Sequence, residues 1–164
     1  MNAVNVKGVY LLPKSFRPVG WLFVFLGIVF AVFRFHYGMK PEFLEIKVFA
    51  VYSSFLQTKY FTFITNNYSE EVIGLLLFIG LLFIAFSKEK DENEEVMLLR
   101  LRSLFLSVYI NSVILILSLL FVFGLGFVKV LVLNMFSVFV IYIIVFRYSL
   151  SKLNRSSDVF IDLQ

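Results

Sequence analysis

The chain carries one histidine, His36, and no cysteine, so acid–base and nucleophilic chemistry has few residues to draw on. A hydrolase or transferase needs a nucleophile beside a base, and a metal enzyme needs clustered carboxylates and imidazoles. A lone histidine supplies neither a His-pair metal site nor a relay within one chain, and beside Arg34 and Tyr37 it reads as an interfacial anchor. The carboxylates Glu42, Glu45, Glu70 and Glu71 fall close together, but their spacing matches no metal loop, and they read as helix-entry and solubility residues. Without cysteine there is no disulfide, Cys-ligated zinc, Fe–S cluster or thiol nucleophile, although the compartment is left open. No catalytic, cofactor-binding or metal-binding residue follows from the sequence, and the expectation is a non-enzymatic protein without a cofactor.

The elements that carry these residues are set by hydropathy. With 164 residues, 60% of them hydrophobic and 19% aromatic, and a mean hydropathy of +0.92, too little polar surface exists to coat a soluble globule. The 16% of residues that are charged cluster between long apolar runs, as expected when charge is kept out of hydrocarbon. The fold expected is an all-α polytopic membrane protein forming a single integral membrane domain over residues 1–164. Four transmembrane helices are placed at about 19–37, 70–87, 104–124 and 130–147, with an outer segment 38–69, a cytoplasmic loop 88–103 and a cytoplasmic tail 148–164. The first run is not read as a signal peptide, because it continues into Arg34, His36 and Tyr37 without a small-x-small cleavage site. Asn67 and Glu70 have capping-box spacing ahead of the second run. Breaker-free sequence from Glu92 to Arg102 predicts that the third helix starts well before its apolar run. Gly124, Gly126 and Lys129 permit the reversal into the fourth, and the polar tail after Tyr148 reads as loosely ordered.

Basic residues give the orientation. Lys7, Lys14, Arg17, Lys88, Lys90, Arg100, Arg102, Arg147, Lys152 and Arg155 lie on one side, and Arg34, Lys40, Lys47, Lys59 and Lys129 on the other. That asymmetry of 10 to 5 places both termini in the cytoplasm. The net charge of +4 is then explained by anionic headgroups, and no nucleic-acid partner is expected.

Three features outside simple span chemistry stand out. Alternation in Ile46, Val48, Ala50 and Tyr52, and again in Tyr60, Thr62 and Ile64, predicts two strands joined through residues 53–57. A lone hairpin is marginal in water, so it either packs on the helix ends or headgroups, or presents Phe49, Tyr52, Phe55, Tyr60, Phe61 and Phe63 to another subunit or a ligand. Within the spans, Ser107, Asn111 and Ser118 align on one face of the third helix and Asn134 and Ser137 on one face of the fourth, while Gly27 and Ala31 form a small-xxx-small pair in the first. These are assigned to helix–helix contact. The loop mixes both signs of charge, including Lys88–Glu92 and Lys90–Glu94 at i,i+4 spacing. Its Glu94, Glu95, Arg100 and Arg102 are candidates for docking a cytoplasmic protein.

Several strings, among them LLPKSFRPVGW, KVFAVYSSFLQTKYFTFITNNYSEE, FSKEKDENE, LRLRSLFLSVYINS and VLNMFSVFVIYIIVFRY, resemble a family of small, largely uncharacterised bacterial four-span proteins. The resemblance implies the bacterial cytoplasmic (inner) membrane as the location and no catalytic residues; small membrane proteins of this kind resemble those encoded with transcription regulators, which adds weight to a regulatory partner. The reading favoured is a membrane protein that acts by binding, sensing or regulating a cytoplasmic partner, with a homo-oligomer as a further assembly. The alternatives are a subunit of a small oligomeric transporter or channel and, third, a lipid-modifying enzyme. The predicted topology is checked by single-cysteine labelling in whole cells: Ser54→Cys reacts with an impermeant maleimide and Ser156→Cys does not, and reaction of Ser156→Cys from outside overturns it.

Overall fold

Apolar content alone makes the helices, because in a run such as Val72–Phe86 there is neither proline nor a charged side chain to interrupt the backbone ladder. The computed structural model of the protein describes residues 10–54, 58–90 and 92–161. In chain order it holds helix α1 (Phe16–Phe35), a short 3-10 turn (Glu42–Leu44), strands β1 (Glu45–Ser54) and β2 (Thr58–Asn67), and helices α2 (Ser69–Phe86), α3 (Glu94–Phe121) and α4 (Leu125–Ile161). All four α-helices are long and apolar enough to cross a membrane. By contacts the chain divides into two units, one of Met1–Trp21 with Gly80–Gln164 and one of Leu22–Ile79.

In the second unit, β1 and β2 form a two-stranded antiparallel sheet running in register from Glu45↔Asn67 to Ser54↔Thr58. The strands are longer than the alternation marks, and Phe55 lies outside the described residues. Paired residues share a face. Val48, Ala50, Thr62 and Ile64 are half-buried on one, while Phe49, Val51, Phe61 and Phe63 are exposed on the other. Phe61 sits at φ 48°, an unusual conformation for a bulky residue, and Val51 and Phe61 are skipped in the ladder. The hairpin base is tied down by Asn67 Nδ2 donating to the Pro41 carbonyl at 3.0 Å and Tyr68 N–H donating to the Leu44 carbonyl at 2.9 Å. The expected capping box is not reciprocal. Asn67 Oδ1 accepts from Ser69 N–H at 3.2 Å, but Glu70 turns instead to Arg34, 2.6 Å away. In the same unit α1 approaches α2 closely at Gly27, where a Cβ would lie 2.8 Å from Leu77 Cδ2.

In the first unit, Asn93 caps α3 by accepting from Val96 N–H at 2.8 Å, so the helix begins at Glu94. Residues 87–90 are not helical, and the Lys88–Glu92 spacing therefore brings no helical pair together. The reversal into α4 is made by Gly124 at φ 65°, a left-handed position without steric cost for glycine, and Gly126 and Lys129 are already inside α4. The polar residues after Tyr148 are helical through Ile161, contrary to the loosely ordered tail expected. The physical reason is that Leu150 and Leu153 pack on the buried cluster of Ala85, Val96, Tyr142 and Phe146, and no glycine or proline falls between Tyr148 and Ile161. At 37 residues, α4 is about 55 Å long, well beyond a bilayer core of about 30 Å.

A second close approach, at Gly20, had no sequence signal comparable to Gly27 and Ala31. A Cβ there would lie 2.8 Å from the Gly80 carbonyl oxygen and 3.0 Å from Phe83 Cβ. Because the nearest obstacle is backbone, Gly20→Ala is expected to destabilise the protein by about 1–3 kcal/mol, the usual cost of overpacking, read as a lower unfolding midpoint in detergent.

Candidate functional site

The polar chemistry of the first unit gathers around Arg100. This residue sits two turns into α3, where the helix places it against the C-terminal end of α2, and it is 5% exposed. Its guanidinium uses every N–H. Nε donates to Glu92 Oε1 at 2.9 Å and Nη2 to Glu92 Oε2 at 3.0 Å, a two-pronged carboxylate contact. Nη2 also donates to the Ser87 carbonyl at 2.8 Å, and Nη1 to the Ala85 carbonyl at 3.2 Å and the Tyr142 hydroxyl at 3.4 Å. The Phe146 ring lies 4.5 Å from the guanidinium carbon. Tyr142 is stacked between Phe86 and Phe146, with ring centroids at 6.1 and 5.8 Å.

The carbonyls involved are those a helix leaves unpaired at its C-terminus, where a positive charge is also favoured by the helix dipole. Around them the chain closes further bonds. Ser87 Oγ donates to the Phe83 carbonyl, and Leu12 bridges Ser87 through Leu12 N–H to the Phe86 carbonyl and Lys88 N–H to the Leu12 carbonyl, both at 2.9 Å. Glu92 in turn accepts from Glu89 N–H at 2.7 Å. Glu89 accepts from Arg17 through both oxygens and lies 3.4 Å from Arg147 Nη1. One short loop thus links the start of α1, the end of α2, the start of α3 and the second half of α4.

Burial pulls the Glu92 carboxyl upward, but the hydrogen bonds from Arg100 and Glu89 N–H and the Arg100 charge outweigh it, and the group is held below its ordinary range. With the Glu92 carboxylate and every N–H of Arg100 engaged in these bonds, the cluster acts as a clamp. Among the described residues no three His, Cys, Asp or Glu side chains converge to hold a metal ion.

The residues singled out from the sequence fall into separate groups. Asn111 and Asn134 exchange amide hydrogen bonds at 3.3 and 3.2 Å, and Ser137 Oγ donates to Asn111 Oδ1, joining α3 to α4. Ser107, fully buried, bonds the Leu104 carbonyl of its own helix, and Ser118 bonds the Ile114 carbonyl, so neither belongs to the asparagine cluster. Gly27 makes the close approach described above, and Ala31 is half-buried one turn on. On the hairpin, Phe49 pairs with Phe63 at 5.4 Å and lies 6.5 Å from Phe61 on one face, while Tyr52 pairs with Tyr60 at 5.4 Å on the other. Glu94, Glu95 and Arg102 are exposed. Arg100, grouped with them as a surface residue, is instead the buried centre of the clamp. The sequence pairs Glu92 with Lys88 instead of Arg100 and leaves Tyr142 and Phe146 unmarked but for their i,i+4 aromatic spacing near the end of an apolar run.

No protein-family model, curated protein or solved structure matches this chain.

Glu92→Gln leaves Arg100 buried without its counter-charge and is expected to cost about 3–5 kcal/mol, less whatever solvent reaches the half-buried carboxylate. Because the folded carboxyl titrates below its unfolded counterpart, its stabilisation is present at neutral pH and is lost as pH falls through the carboxylate range. Thermal unfolding in detergent from pH 7 to pH 3 should show this loss in the native protein and a flatter profile in Glu92→Gln; parallel profiles refute the assignment.

Proposed function

We propose that the chain is a four-span membrane protein with both termini in the cytoplasm, acting without catalysis by binding a cytoplasmic protein. Membrane placement is supported by the apolar surfaces that α3 and α4 leave exposed, including Tyr109, Val113, Ile116, Leu120, Leu131 and Leu133, an area that water tolerates poorly. The observation that carries the binding reading is the clamp. It holds the loop and the extension of α4 as a fixed surface, although nothing in the span chemistry requires one. On that surface a shallow polar cavity of about 160 Å³ is lined by Lys90, Asn93, Glu95, Leu150, Leu153 and Asn154, with Glu94 exposed nearby. Carboxylates beside two leucines suit a protein segment that presents basic and apolar side chains together.

The asparagine cluster supports a structural role over a conduction path, since Asn111, Asn134 and Ser137 bond directly to one another across two helices, at about 0.6 kcal/mol per contact. A signalling role as an inner-membrane regulator fits this reading better than transport.

Site-specific photo-cross-linking tests it. With a benzoylphenylalanine at Asn154 in living cells, one cytoplasmic protein is expected to be trapped in a discrete adduct that disappears in the Glu94→Lys, Glu95→Lys double variant. Adducts with lipid or with the chain itself alone, or an adduct indifferent to charge reversal, would overturn the proposal.

A further inference from the structure

The second unit holds a cavity of about 390 Å³, within the ~300–1,000 Å³ range of small-molecule sites. It is bounded by Phe30 and Phe33 of α1, Val72 and Ile73 at the start of α2, and Met39 and Leu44 from the connecting segment. That segment is fixed over it by the Asn67–Pro41 and Tyr68–Leu44 hydrogen bonds, so the cavity is walled on the loop side by backbone that is already tied down. The lining is almost wholly apolar. The charged residue in the wall is Arg34, whose side chain is 18% exposed and whose Nη2 donates to Glu70. Its Nε–H is buried and has no acceptor.

These features place two demands on an occupant. The apolar wall asks for a hydrocarbon chain, since water in such a space finds no hydrogen-bonding partners. The orphaned guanidinium N–H, a buried donor that is costly to leave unsatisfied, asks for an oxygen acceptor at the chain's polar end. Arg34 and Ser69 lie where α1 ends and α2 begins, which under the proposed membrane placement is the level of the lipid headgroups, with Phe30 and Ile73 about a turn deeper. The molecule that meets an integral membrane protein there with a chain below and ester and phosphate oxygens above is a phospholipid of the surrounding bilayer. We infer that this cavity is a binding site for one phospholipid, with an acyl chain between the ends of α1 and α2 and a headgroup-proximal oxygen accepting from the Arg34 guanidinium. The inference rests on the membrane reading but not on a cytoplasmic partner.

Native mass spectrometry of the full chain, purified in detergent and exposed to phosphatidylglycerol, provides the test. One lipid per chain should remain on the wild type. Arg34→Gln should lower the occupied fraction by about tenfold, as expected for losing a hydrogen bond to a charged donor. Val72→Trp, which fills the cavity from α2, should abolish retention, and Leu44→Trp does the same from the loop if the first variant does not elute as a folded species. A folded wild type that retains no lipid, a tryptophan variant that keeps it, or retention of palmitate with rejection of phosphatidylglycerol each overturns the inference. Carbonate extraction of membranes separates this from failure of the underlying reading: release of the chain by carbonate refutes membrane insertion, whereas an inserted chain without bound lipid refutes the site alone.

Discussion

A guanidinium buried to 5% exposure is the constraint around which the first unit is organised. Taking such a group out of water costs several kcal/mol unless its charge is matched and each N–H is donated. Here both conditions hold together. Glu92 supplies the charge, while the carbonyls of Ala85 and Ser87 and the hydroxyl of Tyr142 accept the remaining bonds. Each acceptor is thereby fixed in turn. The end of α2 must stop where its free carbonyls face Arg100, the loop must fold so that Glu92 meets the guanidinium eight residues further on, and α4 must present Tyr142 and Phe146 to the same point. The tail of α4 then has a surface to pack on, which is why a polar sequence stays helical beyond the reach of any apolar run.

Hydropathy and two-residue alternation are properties of single segments, so the helices and the hairpin were legible in the amino-acid order itself. The turn at Gly124 was legible for the same reason; of the polar residues on α3 and α4, Asn111, Asn134 and Ser137 join the two helices, whereas Ser107 and Ser118 bond within α3. Arg100 was not. Seen on the chain it is one of several charges in a mixed run, and only the non-helical path of residues 87–90 brings Glu92 to it. An i,i+4 rule applied to that run pairs Lys88 with Glu92, a geometry that exists only if the segment is helical. Gly20 escaped notice for a related reason: small-xxx-small spacing tests one helix against itself, whereas the contact depends on Gly80, sixty residues away, presenting bare backbone.

The two units meet their polar requirements differently, and this bears on what each is suited to do. Every N–H of Arg100 itself has an internal acceptor, which ties the loop and α4 to the end of α2. A fixed surface loses little entropy when a protein docks on it. The unit of Leu22–Ile79 leaves one sheet face of exposed phenylalanines, a tyrosine pair at the far end, and a buried Arg34 N–H with no acceptor, a lack that Arg17 Nε shares in the first unit.

An orphaned donor beside an apolar cavity is a different kind of incompleteness from an exposed aromatic. Phenylalanine at a lipid headgroup layer is already in a favourable medium and calls for no further partner. A buried N–H has no such refuge, since neither hydrocarbon nor the apolar wall can accept from it. Glu70 does not resolve this, because its contact is with Nη2 and its carboxylate is 55% exposed, spent partly on solvent. Of the unmet requirements in this unit, the one at Arg34 therefore asks for a molecule with an oxygen at a defined place and a chain below it, and the hairpin's aromatic face asks only for an interface.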